Sequence, residues 1–245
     1  MSSKAQKFSV GKTQTFSCSY LSEEMEQLLV IQEQGLDPSL FEQLLSLGFR
    51  RSGSTIYRPD CPHCNACLPI RIPVNHFKPS KRQKRTLNNN KDVNWTIVDH
   101  HTEQHYALYE RYINERHRDG GMYPPSPEQY HNFISSTWLS PMLIELTLDD
   151  KLIGVAVTDI LPNSFSAIYS FFEPDEHKRS LGSFLILLQC RIAKMMQKEF
   201  LYLGYQIDKS RKMAYKRDYN PHQILTSSGW NPPIPSDKDP TLPPL

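Results

Sequence analysis

The chain has 245 residues, 38% of them hydrophobic and 22% charged, with a net charge of +2. That length suits one large domain or two small ones, and either can bury a real core. No apolar run approaches the ~20 residues a membrane span needs, and the opening MSSKAQKFSV lacks the apolar stretch of a secretory signal, so a cytosolic protein is expected.

Taken in chain order, Met25 to Gln32 reads as a strand, and Asp37-Pro38 forms an N-cap and N1 pair opening a short helix that ends near Gly48. Five prolines between Pro59 and Pro79 predict loops and edge strands. Three of the five cysteines, Cys61, Cys64 and Cys67, crowd into seven residues here. An odd, uneven count argues against a disulfide framework, and in a reducing compartment this spacing suggests a metal or redox site. From Arg58 to Lys91 there are eight Lys/Arg against one acid, Asp60, a sum of +7; the rest, with 20 basic and 25 acidic residues, sums to −5. Such asymmetry suggests a polyanion at one face, with a solvated basic loop as the alternative.

After Lys91 the pattern becomes regular. Val93 to Val98 alternates as a strand, and a helix runs from Thr102 to His117 with Tyr109, Tyr112 and Ile113 on one face. Ser126-Pro127-Glu128-Gln129 is a capping box with proline at N1, starting a helix to about Trp138. Strands at Leu143–Leu148, Leu152–Ile160 and Phe165–Phe172, with turns at Asp149-Asp150 and Leu161–Ser164, form an antiparallel meander. A helix over Ser183–Lys198 and a strand over Phe200–Tyr205 follow. This order is that of an α+β, N-acetyltransferase-like (GNAT) core, a mixed sheet with flanking helices. The expected division is an irregular cysteine-containing domain at 1–95, a GNAT-like catalytic domain at 96–230, and an extended tail at 231–245 holding six prolines.

A GNAT core binds its donor's pyrophosphate on N–H groups at a helix N-terminus. The usual Arg/Gln-x-x-Gly-x-Gly/Ala is met by Arg179-Ser180-Leu181-Gly182-Ser183-Phe184 only as far as Gly182. Phe184 is expected to crowd a phosphate, which argues against a coenzyme A-dependent N-acyltransferase but leaves a site for another anion or an activated ester. Beyond the last strand, Lys209, Arg211, Lys212, Lys216 and Arg217 interleave with Tyr205, Tyr215 and Tyr219. That pattern suits phosphates and stacked bases, although tyrosines so spaced also serve as edge packing.

Several long stretches resemble the arginyl-tRNA–protein transferase family, most closely its short bacterial branch, the aspartate/glutamate leucyltransferases. They are CSYL at Cys18–Leu21, LGFRRSGSTIYRPDCPHCNACLPIRIPV at Leu47–Val74, FKPSKRQKR at Phe77–Arg85, ERYINERHRDGGM at Glu110–Met122, SLGS at Ser180–Ser183, LGYQIDKSRKMAYK at Leu203–Lys216 and Gly229-Trp230. The resemblance implies transfer of an aminoacyl group, leucyl before arginyl, from aminoacyl-tRNA to the N-terminal amine of proteins beginning with Asp or Glu, marking them for N-end rule degradation. The rival of another class, a non-enzymatic zinc-knuckle RNA-binding protein, leaves the second half of the chain unexplained.

Such a transfer requires no cofactor for catalysis, because the donor is already an activated ester. Asp208 is a candidate general base with Tyr205 or Tyr215 as hydroxyl relays, and backbone N–H groups near Gly182 or at Phe171-Phe172 are candidate oxyanion donors. Arg50, Arg51, Arg71 and Lys212 are candidates to hold the acceptor's carboxylate. Lys78, Lys81, Arg82, Lys84, Arg85 and Lys216 are assigned to tRNA phosphates. A structural zinc or iron–sulfur cluster would take Cys61, Cys64, Cys67 and the distant Cys18, with His63 or His76 as substitutes. Cys190, in an apolar helical stretch, is expected to be a packed thiol.

Overall fold

The computed structural model describes residues 9–31 and 35–231, so the N-terminal ten-residue stretch, Gln32 and the proline-rich tail expected from the sequence lie wholly or largely outside the described residues. The chain begins with β1 (Val10–Lys12), β2 (Phe16–Ser17), β3 (Met25–Glu26) and β4 (Leu28–Ile31), followed by α1 (Pro38–Ser46), β5 (Arg50–Ser52) and β6 (Thr55–Pro59). The Asp37 side chain accepts from the Leu40 N–H and Pro38 opens α1, as the cap pair predicts. Strands β1, β4, β6 and β5 form a small antiparallel sheet, and α1 packs Phe41, Leu44 and Leu45 against its Ile31 and Ile56.

Next come β7 (Leu68–Pro73), α2 (Lys81–Asn89), β8 (Asn94–Val98), α3 (Glu103–Arg116), α4 (Pro127–Ile134), β9 (Met142–Leu148), β10 (Lys151–Ile160), β11 (Ser164–Phe172), α5 (Leu181–Met195), β12 (Phe200–Gln206), β13 (Gln223–Thr226) and β14 (Gly229–Trp230). The expected helix–helix–three strands–helix–strand order is present. The eight-stranded sheet runs β14-β13-β7-β12-β11-β10-β9-β8. It is antiparallel except where β12 lies parallel to β11, joined by the crossover helix α5. The β9–β10 turn puts Asp149 and Asp150 at φ 48 and 60, a conformation that short polar side chains tolerate.

Two expectations change. The proline-rich stretch does not stay at a sheet edge: β7 inserts between β12 and β13. It can do so because Pro69 and Pro73 stand at its ends, while Ile70 and Arg71 make the contacts to β13. The same sheet therefore contains strands from both sides of residue 95. The basic run is also not a loop. Residues Lys81–Asn89 form α2, held by a capping box in which Ser80 and Gln83 bond reciprocally. The Ser80-x-x-Gln83 signal was in the sequence, masked by the prolines before it. Conversely, α4 ends at Ile134, short of Trp138, and Gln129 donates to the Gly121 carbonyl instead of closing the box at Ser126.

The core lies on both faces of the large sheet. α5 buries Leu185, Leu188 and Ile192 with Ile70, Ile72 and Ile144 on one side. α3 and α4 bury Tyr109, Ile113, Tyr130 and Ile134 against Val155, Val157 and Phe171 on the other.

Candidate active site

Strands β11 and β12 pair only through Ser164–Ser166 and Phe200–Tyr202, then diverge. Beyond that point a cleft of about 790 Å³ opens, lined by β11 from Ala167 to Ser170, by Leu203–Tyr205 of β12, and by the first turn of α5. At the head of α5 the N-cap Ser180 is left-handed, at φ 55, and makes no capping bond through its side chain. The first-turn N–H groups, without intrahelical acceptors, are thus presented at the cleft wall. Gly182 lines it, and a Cβ there would sit 3.0 Å from a Phe172 ring carbon. Phe184 turns into the core at 5% exposure and is absent from the cleft wall, so the expected crowding of a phosphate by its ring does not occur.

The cleft is cationic. Arg50, Arg51, Arg116, Lys212 and Lys216 line it, and Glu176 is the one acidic residue among its described lining. Arg50 reaches across the splay, donating to the Ser166 hydroxyl at 3.1 Å and the Ala167 carbonyl at 2.5 Å. Gly204 lies against it at φ 83, beside an irregularity in the β7–β12 pairing, a left-handed conformation that favours glycine. No carboxylate pairs with Arg50 among the described residues, and burial draws its pKa down. Lys216 donates to the Tyr205 carbonyl at 2.6 Å and contacts Met213 Sδ at 3.3 Å. Burial first, then Arg50, bring its pKa down to about 7.

The remaining candidates scatter. Arg51 is committed to a bidentate pair with Asp159, at 2.7 and 2.5 Å, with both side chains fully buried, and to the carbonyls of Gly53 and Ile134. It braces the wall, with four of its five N–H donors committed and its charge met by Asp159. Arg71 stacks between Phe200 and Trp230, 3.7 and 4.2 Å from their centroids, and bonds Gln223 and Tyr202, outside the cleft. Lys212 lines the cleft in an ion pair with Asp119 at 2.7 Å. Asp208 is an exposed surface residue held by Arg217 and Gln206, off the cleft, which removes the ground for calling it the base. The Tyr205 hydroxyl donates to the Gly48 carbonyl at 2.8 Å, so it is not free to relay a proton. Tyr215 remains at the cleft wall. Lys216, assigned to tRNA phosphates from the sequence, is a buried group inside the site. Burial of this kind has no signature in a run of alternating cations and tyrosines.

Lys81, Arg82, Lys84 and Arg85 are exposed on one side of α2, and Lys78 is exposed just before it, while Gln83, Thr86 and Asn90 turn inward. Asn90 donates to the Arg179 carbonyl at 2.8 Å, and Arg179 clamps Asp92. Both contacts fasten α2 to the loop that opens α5, so its cations flank the cleft. Cys18, Cys61 and Cys64 lie close enough to Cys67 to act on its thiol. Burial first, then the neighbouring thiols, push Cys67 up to about 12. Among the described residues no group of three or more His, Cys, Asp or Glu side chains is arranged to hold a metal ion. Cys190 is buried in α5, as expected of a packed thiol. No described helix is long and apolar enough to cross a membrane.

Comparison with known proteins bears on this cleft. The family model described as "Arginine-tRNA-protein transferase, N terminus" matches residues 16–85, and "Arginine-tRNA-protein transferase, C terminus" matches 104–226. The chain is 64% identical over 221 residues to the aspartate/glutamate leucyltransferase of Shewanella oneidensis, covering 90% of this chain and 93% of that protein. It is 62% identical over 232 residues to that of Shewanella putrefaciens (94% and 99%) and 49% over 222 residues to that of Aeromonas hydrophila (90% and 93%). Among solved structures, a domain of a putative lysylphosphatidylglycerol synthetase from Agrobacterium fabrum aligns with a TM-score of 0.45 at 12% identity, over 73% of this chain and 53% of that one. FemX aligns with a TM-score of 0.45 at 7% identity, over 80% and 79%.

Proposed function

The chain belongs to the arginine-tRNA-protein transferase family, and from that premise we propose that its cleft transfers a leucyl group from Leu-tRNA to the N-terminal amine of proteins beginning with Asp or Glu. The observation that carries the choice of substrates is the charge of the cleft. Five basic residues line it against one acidic residue, Glu176, and with Arg51 held by Asp159 and Lys212 by Asp119 the guanidiniums left to meet an anion are those of Arg50 and Arg116. An acceptor whose first side chain is a carboxylate is drawn to such a site, and Arg50 offers a guanidinium without a carboxylate partner among the described residues. An arginyl donor would add a further cation with one acid to meet it, whereas a leucyl side chain can rest on Ile186, Leu203 and Phe172.

The donor's ester is already activated, so the protein's work is to place the amine, to supply oxyanion donors and to manage one proton. The open first turn of α5 offers the N–H groups, and the α2 cations hold the tRNA backbone. Such a protein acts in the cytoplasm, where charged tRNA is made, and marks its acceptors for N-end rule degradation. One assay tests the reading: Leu-tRNA and Arg-tRNA against peptides beginning with Asp, Glu, Arg and Lys, with and without a chelator. Leucyl transfer to the acidic peptides alone, unchanged by the chelator, is expected. Arginyl transfer, or no transfer, overturns it.

A further inference from the structure

Lys216 stands apart from the other cations among the described residues. It lies within the cleft at 7% exposure, and no carboxylate pairs with it among the described residues. A neutral amine has two hydrogens and one lone pair. Its two contacts, the Tyr205 carbonyl at 2.6 Å and Met213 Sδ at 3.3 Å, are both acceptors and take up both hydrogens. The lone pair is what remains for the cleft. Burial first makes the neutral form accessible, and Arg50 from β5 adds to it by repelling a second cation; Cys67, ahead of β7, acts in the opposite direction. A surface phosphate contact needs a lasting charge in solvent, which this position denies.

We infer that Lys216 is the proton acceptor of the transfer, its Nζ taking one proton from the α-ammonium of the acceptor's first residue while Arg50 holds that residue's carboxylate. This rests on the transfer proposed above. The freed amine attacks the ester carbonyl and forms the C–N bond. When the tetrahedral adduct collapses, the C–O electron pair and the remaining extra proton on nitrogen both go to the ribose oxygen, releasing tRNA with a free hydroxyl. The proton on Lys216 leaves to solvent as product departs. The net release is one proton per peptide bond.

The test is the pH dependence of kcat/KM for a Glu-initiated peptide in the wild type and in Lys216→Met. Wild type should rise as Lys216 loses its proton near pH 7 and level off as the peptide's amine, of pKa ~7.7–8.0, arrives already neutral. In Lys216→Met only peptide that is already neutral reacts. The rate at pH 7 should drop by about three- to tenfold, and the rise should move up to the amine's own pKa and reach a plateau near the wild-type one above pH 8. Affinity for Leu-tRNA should stay within about threefold, because no phosphate contact is lost. Lys216→Met places an apolar chain in a buried site and should melt no lower than wild type. Were it to unfold, Lys216→Arg, a permanent cation, serves for the same comparison. A rise still centred near pH 7 in either variant, or lost tRNA affinity with kcat intact, overturns the role of Lys216. A wild type that transfers no leucine overturns instead the reading it rests on.

Discussion

Arg50 and Arg51 are neighbours with opposite fates, because successive side chains on β5 point to opposite faces. Arg51 meets Asp159 in a dry, fully buried pair, where burial pushes the carboxyl up and the guanidinium pulls it back. Removing one partner leaves the other charge uncompensated. Arg51→Met should therefore cost ~3–5 kcal/mol in chemical denaturation, with activity lost only through unfolding. Arg50→Ala removes a buried cation that lacks a partner carboxylate, so its stability should fall far less. Its kcat/KM for Asp- and Glu-peptides should drop by at least about 10², while Leu-tRNA binding holds. Equal loss of acceptor use and tRNA binding would refute that assignment.

At the scale of elements, the helix assigned to the tRNA donor in the proposed reading is α2, which has no apolar stripe to speak of. It is held through its polar face: Gln83 donates to the Asp218 carbonyl at 3.2 Å and Asn90 to Arg179. The opposite side is left to Lys81, Arg82, Lys84 and Arg85. In the proposed reading this side of α2 meets tRNA phosphates, and Asn90 fastens it to the loop that opens α5. Replacing Lys84 and Arg85 together by Ala should weaken Leu-tRNA binding and flatten its dependence on log[salt] by about 1.4–1.8, roughly 0.7–0.9 per phosphate contact. Turnover at saturating tRNA should change little. Binding titrations across salt concentrations check this, and an unchanged slope would place the tRNA elsewhere.

For the whole molecule, carrying an amine such as Lys216 in the interior ties stability to pH. Its pKa is about 7 folded against 10.5 unfolded, so between those values the unfolded chain holds a proton that the folded chain has released. Stability then rises with pH through that window, by up to ~1.4 kcal/mol per pH unit, and the full penalty of a buried ammonium applies below pH 7. Other groups titrate in the same range, so the quantity to measure is the difference between wild type and Lys216→Met in denaturant titrations from pH 7 to 10. That difference should shrink steadily as pH rises. A constant difference would mean that Lys216 keeps its charge when folded.

Periodicity, caps and turn chemistry are local, and they placed α1, α3, the β9–β10–β11 meander, α5 and β12 close to where they stand. Long unusual stretches such as LGYQIDKSRKMAYK were enough to mark the family. What they could not place was set by contacts between residues far apart in the chain. β7 entered the sheet because its prolines fell at its ends, and the capping box of α2 counted once Asp218 and Arg179 were brought beside it. Within one dense cationic stretch, Asp208 and Arg217 went to the surface, Lys212 to an ion pair at the cleft wall and Lys216 to the interior. A residue's type fixes what chemistry it can do, but burial and partners decide its protonation state and whether its atoms are free to react. Those are properties of the folded chain.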